Sequence, residues 1–259
     1  LGAPLVRVTS KTPVEGGTDA ILAALKSSQQ VAVAAPAAAT SAAFAYTDFG
    51  TPGKIVSDQR IEDLGIRRIR FANNVMLNIK TTDFQKDTVF LSLRIDGGSL
   101  LATKADPTRV ALAGSISLGG LEAHSRDELS TILAGKTVSS SVGSATDSFG
   151  GSARTSPEDF KLQAQLMAAF LTHPGYRPDG LALIRRFLPQ QYAANDATPG
   201  AVLGRDAGGI LANNDPRAVT PPLDTMLALD WASLKPAIAD SMEHGAIEIG
   251  VVGDIDEAA

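Results

Sequence analysis

The chain has 259 residues, 44% of them hydrophobic and 20% charged, which fits a folded globular protein of one large domain or a domain and a half. That balance excludes a disordered tail or a coiled coil. Acidic residues outnumber basic ones, 28 to 23, and no Lys/Arg cluster stands out, so neither nucleic acid nor an anionic membrane surface is an expected partner. Cysteine is absent, which removes disulfides, thiolate nucleophiles and every Cys-based zinc site.

The first sixty residues differ from the rest. Leu5, Val6 and Val8 allow a short strand and Thr18–Leu25 a short helix, while residues 31–45 are low-complexity Ala and Phe49-Gly50-Thr51-Pro52-Gly53 is a run of turn residues. Residues 1–60 read as the tail of a preceding domain plus an Ala-rich linker. The Ala-rich stretch, broken by Pro36, Thr40 and Ser41, is too weakly apolar to cross a bilayer, so no membrane insertion is expected. A start at Leu1 and a stop at Asp256-Glu257-Ala258-Ala259 read as the cut ends of a longer protein.

Clean periodicities begin at Ile66. Val75, Leu77 and Ile79, and then Val89, Leu91, Leu93 and Ile95, alternate with mostly polar neighbours and predict two half-buried strands, the second stopped by Gly97-Gly98. Asp106 and Pro107 predict the start of a helix running to about Leu118 and stopped by Gly119-Gly120. Ser125 and Glu128 form a capping-box pattern for a short helix that ends by Gly135. The Ser/Val/Gly-rich residues 137–154 predict two short strands around a turn near Asp147.

Ser156-Pro157 opens the best helix, with Phe160, Ala164, Met167 and Leu171 on one stripe and His173-Pro174-Gly175 at its end. Another helix starts near Asp179 and carries Leu181, Ile184 and Leu188, with Pro189 expected to kink or end it. Residues 196–222 read mostly as loop. Leu234, Ile238 and Met242 mark a last helix, followed by a strand through Ile247, Ile249 and Val251 and a turn at Gly253-Asp254. Strand pairs segregated from helix runs predict an α+β fold, a mostly antiparallel sheet covered by helices on one face.

Motifs for chemistry are sparse. Gly135-Lys136-Thr137 has Ser130 where a phosphate loop needs Gly, and helix precedes strand there, so Gly135 reads as a helix stop. Gly114-Ser115-Ile116-Ser117-Leu118-Gly119 lacks the spacing of a nucleophile elbow. His124-Ser125-Arg126-Asp127-Glu128 has Asp and Glu where the inverted zinc motif H-x-x-E-H needs Glu and His, and reads as solvated polar surface. His173 and His244 sit at helix ends, where an imidazolium complements the helix dipole.

Several segments together resemble the pitrilysin/insulinase-type zinc metallopeptidases (peptidase family M16), including relatives of the mitochondrial processing peptidase. Phe71-Ala72-Asn73-Asn74-Val75-Met76-Leu77 is similar to the family's opening strand, and Ile249-Gly250-Val251-Val252-Gly253-Asp254-Ile255-Asp256 to its closing segment. Gly97-Gly98-Ser99-Leu100, Leu133-Ala134-Gly135-Lys136 and the helix at Ser156-Pro157 also fit, in the family's order. Tyr46 and the turn run Phe49–Gly53 resemble the junction between the halves of bacterial members.

The resemblance implies a mitochondrial-processing-peptidase-like (LuxS/MPP-like) metallohydrolase fold over residues 61–257. It also places the family's zinc helix, which carries H-x-x-E-H, on Val110–Gly120. Val110 and Gly114 then fall at the two His positions, Ala113 at the catalytic Glu, and Gln190 or Gln191 at the third ligand. No catalytic and no metal residue is expected in this chain, and no substrate-binding residue is assigned. The implied role is a non-catalytic domain from the C-terminal half of a bacterial zinc metalloendopeptidase. Such a domain helps to form a peptide-binding chamber, with zinc and turnover in the catalytic half. Expected partners are that half and peptide substrates, an extended peptide adding to the Val138–Val142 edge; the compartment, periplasm or cytoplasm, stays open. The alternatives are a scaffold module of the same fold with no proteolytic parent, and a hydrolase whose motif escapes notice.

Overall fold

The computed structural model describes residues 6–31, 43–139 and 142–257. The chain forms two units, Leu1–Thr40 and Ser41–Ala259. In the first, a helix α1 spans Gly17–Gln30 with no buried residue. The strand expected at residues 5–8 is absent where described: Val6 and Val8 are exposed and irregular, and Leu5 lies outside the described residues.

The second unit is built on a seven-stranded sheet. Its strands are β1 (Ile55–Ile61), β2 (Ile66–Phe71), β3 (Val75–Thr81), β4 (Val89–Asp96), β5 (Gly143–Ser144), β6 (Ser148–Thr155) and β7 (Ile247–Gly253). They lie in the order β1-β2-β3-β7-β4-β6-β5. The last strand is inserted between β3 and β4, parallel to β3 and antiparallel to β4; every other pair is antiparallel. This is the expected α+β architecture with a mostly antiparallel sheet.

One sheet face makes the core. Along β4, Val89, Leu91, Leu93 and Ile95 are buried while Phe90, Ser92, Arg94 and Asp96 are exposed, the period-two pattern of a strand covered on one side. Helix α3 (Phe160–Thr172) lays Phe160, Ala164 and Met167 against Val89, Leu91 and Val251. Its other side, Leu166, Ala169 and Phe170, is buried against Leu121, Leu129 and Tyr46, so α3 is packed on two sides. Helices α4 (Pro178–Asn195) and α7 (Trp231–His244) close a third cluster in which Leu181, Trp231, Leu234 and Ile238 surround Phe149. The short α2 (Arg126–Ile132) starts at the expected capping box, with both Ser125 and Glu128 hydrogen bonds formed.

Four expectations are corrected. The segment read as an Ala-rich linker up to residue 60 reaches the sheet early: β1 straddles that boundary and pairs with β2 from Ile55 to Ile61, and Tyr46 is buried under α3. As an edge strand with both faces largely exposed, β1 carries no apolar alternation to announce it. Residues 196–222 hold helix α5 (Pro199–Leu211), N-capped by Thr198, whose Gly200, Gly204, Gly208 and Gly209 hide its helical pattern. The short α6 (Leu223–Ala228) follows it. Helix α4 continues through Pro189, so of the kink or end expected there, the end does not occur.

The fourth correction concerns the helix expected from Asp106. Residues 107–112 form turns and Ala113–Gly119 a 3₁₀ helix. Ala111, Ala113 and Ser115 donate to the carbonyls three residues back, of Thr108, Val110 and Leu112. Val110, Ala113, Ile116 and Gly119 are buried three positions apart, the period of a 3₁₀ helix, and Leu112 is buried beside them. Gly114 and two serines weaken the α-helical alternative. Helix α4 crosses close by, and a Cβ on Gly180 would stand 2.5 Å from the Leu118 carbonyl oxygen, so glycine is required there.

Candidate functional site

The segment aligned with a zinc helix is a wall of the core. Val110 and Ala113 are buried beside Leu112, Ile116, Phe149 and Leu181, whereas Gly114 faces the opposite way, toward the backbone of Ser144 in β5. The 3₁₀ geometry explains the split. Positions i and i+4 lie about 40° apart around an α-helix but about 120° apart around a 3₁₀ helix. Val110 and Gly114 therefore do not share a face, and neither Val, Ala nor Gly offers a side-chain donor. Gln190 and Gln191 are exposed on α4. The residues at the four aligned positions do not fit a zinc ion. Among the described residues, no group of three or more His, Asp or Glu side chains converges as metal ligands.

Above Gly114 lies an open cleft of about 650 Å³, lined by Pro107, Val110, Gly114, Ser144 and, from the turn after α5, Asp215 and Arg217. Asp215 accepts from the Arg217 side chain at 2.8 and 3.0 Å and from the Arg217 backbone N–H at 3.0 Å; the Lys104 ammonium lies 3.6 Å away. The Arg217 hydrogen bonds hold the Asp215 carboxyl far below the usual carboxylate range. Asp215 thus stays ionised and shapes the wall of the cleft, with no proton to give in general acid chemistry near neutrality. Sequence reasoning missed this carboxylate because it lies in the stretch read as loop.

The histidines have structural roles. His124, expected on solvated surface, is buried: Nε2 accepts from the Ala45 backbone N–H at 3.0 Å, which places the ring proton on Nδ1. Phe44 stacks on its ring at 5.9 Å, and Tyr46 meets it edge-on at 6.0 Å. Burial follows from a segment 79 positions earlier in the chain, which no local pattern reveals. His173 caps the end of α3 as expected and also touches the Tyr46 ring, at 5.0 Å. His124 and His173, read separately in the sequence, thus flank one tyrosine. His244 closes α7, exposed, 3.3 Å from Asp240.

The expected peptide-adding edge lies partly outside the described residues, which omit 140 and 141. At Ser139 the backbone is already taken. The fully buried Gln163 accepts the Ser139 N–H at 2.8 Å and donates to its carbonyl at 3.0 Å, standing in for a neighbouring strand. Gln163 and Asp159, which accepts the Thr137 N–H at 2.8 Å, tie this segment to α3. Among the described residues of this segment, the regular edge is Gly143–Ser144 of β5, beside the cleft.

No protein-family model and no curated protein matches this chain. Solved structures do. The peptidase M16 inactive domain from Pseudomonas fluorescens superposes on 75% of this chain and 48% of its own length, with a TM-score of 0.62 at 17% identity. The fold is that of an M16 peptidase domain. The periplasmic protease PqqL from Escherichia coli covers 93% of this chain at TM-score 0.71 and 17% identity. The ferredoxin protease FusC, solved in complex with Arabidopsis ferredoxin, covers 93% at TM-score 0.69 and 18% identity. This M16-fold chain spans 27% of the length of each of those two proteases.

Proposed function

We propose that residues 61–257, with the β1 and Tyr46 segments that precede them, act as a non-catalytic domain of an M16-type zinc metalloendopeptidase. The domain helps to form the peptide-binding chamber, and the zinc site lies in another domain. The observation that carries this reading is the turn and 3₁₀ segment 107–119, in which Val110 and Ala113 are buried and Gly114 turns away from them, in a fold whose solved examples include an inactive M16 domain. The cleft over Gly114, bordered by the short β5, offers room and a strand edge for an extended peptide.

The partners of this reading are the catalytic half of the same protein and its peptide substrates. Among the described residues no helix is long and apolar enough to cross a membrane. The periplasm of the PqqL likeness is the first compartment to test.

Labelled extended peptides titrated into the chain, with recovery analysed by mass spectrometry, test the role. Binding that shifts the amides of β5 and Gly114, with the peptide recovered intact, supports the proposal. Cleaved peptide, or binding that leaves those amides unmoved, contradicts it. An H-x-x-E-H motif in the same reading frame upstream of Leu1 separates the protease half from a scaffold of the same fold.

A further inference from the structure

Among the described residues of the second unit, helices α3, α4 and α7 pack on one face of the sheet, and on the other the outward residues of β4, Phe90, Ser92, Arg94 and Asp96, are exposed. Register carries the outward positions of β4 across its neighbours, so that Lys80, Val252, Phe90 and Arg154 form one row over β3, β7, β4 and β6. Phe90 and Val252 are 47% and 41% exposed, an apolar pair in the middle of an open face. Strand spacings of about 4.8 Å put the two flanking cations roughly 14 Å apart. The next row, Asn78, Gly250, Ser92 and Ser152, carries short side chains and forms a low floor beside that ridge.

Charge on this face opposes the charge of the whole chain. Its outward positions carry Arg68, Arg70, Lys80, Arg94 and Arg154 against Glu248 and Asp96, in a chain of net charge −5. Arg94 pairs with Asp147, but Arg68, Arg70 and Arg154 donate to neutral oxygens of Gln59, Asn74 and Thr88, which leaves their charge uncompensated by those bonds.

We propose that this uncovered sheet face is a docking surface for an acidic polypeptide segment in which an apolar side chain lies between carboxylates. The apolar side chain packs on Phe90 and Val252, and the carboxylates meet Lys80 and Arg154. The exposed apolar pair selects a polypeptide over a nucleic-acid backbone, whose phosphates would find no partner at the centre of the row. Electrostatic complementarity of this kind sets partner choice and association rate. The inference uses this face alone and stands or falls independently of the peptidase reading.

The test is a titration of the full chain with a fluorescein-labelled Glu/Asp peptide carrying one central Phe. Controls are the same peptide with Lys for its acids and a single-stranded oligonucleotide of equal charge. The acidic peptide binds, weakens with added salt, and shifts the amides of residues 80, 90, 154 and 252. The Lys80→Glu/Arg154→Glu double variant weakens it by about tenfold or more. The Lys80→Arg/Arg154→Lys variant retains binding, which separates charge from folding. The proposal is overturned by no binding of the acidic peptide, by equal binding of the Lys peptide, by preference for the oligonucleotide, or by indifference to the double reversal.

Discussion

The segment 107–119 and helix α3 both lie in the core beneath one sheet, yet one is a string of turns and 3₁₀ helix and the other a thirteen-residue α-helix. Apolar spacing separates them. In α3, Phe160, Ala164, Met167 and Leu171 step by four, three and four, keeping one stripe in register with an α-helix. In the other segment Val110, Ala113, Ile116 and Gly119 step by three, with Leu112 buried and Leu118 half-buried off that stripe. The lesson is chemical as well as structural, because a ligand pair spaced i, i+4 needs the α-helical stripe and loses it in the 3₁₀ form.

The largest expected effect comes from Ala113→Glu, which puts a carboxylate at the position that the resemblance aligns with the family's catalytic Glu. Ala113 is fully buried with no cationic neighbour in its cluster, so the variant loses about 4 kcal/mol or more in urea unfolding. An unchanged midpoint would show that this segment can turn its i+3 face outward, as a functional zinc helix must.

Leu166→Ala in α3 follows, at about 3 kcal/mol, because Leu166 is fully buried between the two layers that α3 joins. A loss under about 1 kcal/mol would mean that α3 is not the packed counterpart of the 3₁₀ segment.

Much of this contrast is readable in the sequence. The alternation of β3, β4 and β7, the capping box of α2 and the stripe of α3 are local patterns, and the structure follows them. The 3₁₀ segment was not readable, because Leu112 and Leu118 blur its period of three and Asp106-Pro107 and Gly119-Gly120 frame it like an ordinary helix. Other features depend on distant residues. Burial of His124 needs Phe44 and Tyr46, β1 needs β2 as a partner, and the Asp215–Arg217 pair enters the cleft through the placement of α5. The absence of donors at Val110, Ala113 and Gly114 was readable from the resemblance; the cleft above them was not.

A smaller effect is pH-dependent and concerns the anchor between α3 and the segment leading to β5. The Thr137 backbone N–H, aided by Lys136, holds the Asp159 carboxyl below its ordinary range. A folded-state value below the unfolded one, about 3.9, gives stability that is full above that pH and is lost as pH falls through the folded value. The stability difference between the native chain and Asp159→Asn is therefore constant from about pH 7 to 5 and shrinks below about pH 4. A difference that grows on acidification would overturn the assignment.

Gly114→Ala is the smallest change and has the opposite sign. Its Cβ would meet the Ser144 nitrogen at 3.7 Å, an ordinary contact, and its φ is not positive. Lower entropy in the unfolded chain then stabilises the protein by about 0.4–1 kcal/mol. Destabilisation would show that the cleft floor is tighter than this contact indicates.

The central proposal, a peptidase-fold domain that carries no zinc site of its own, is tested most directly by equilibrium dialysis of the chain against zinc. Metal analysis and a fluorogenic-peptide assay are then run on the same sample. The account predicts no stoichiometric zinc and no turnover. One zinc per chain together with chelator-sensitive cleavage would contradict it and redirect attention to His124, His173 and His244.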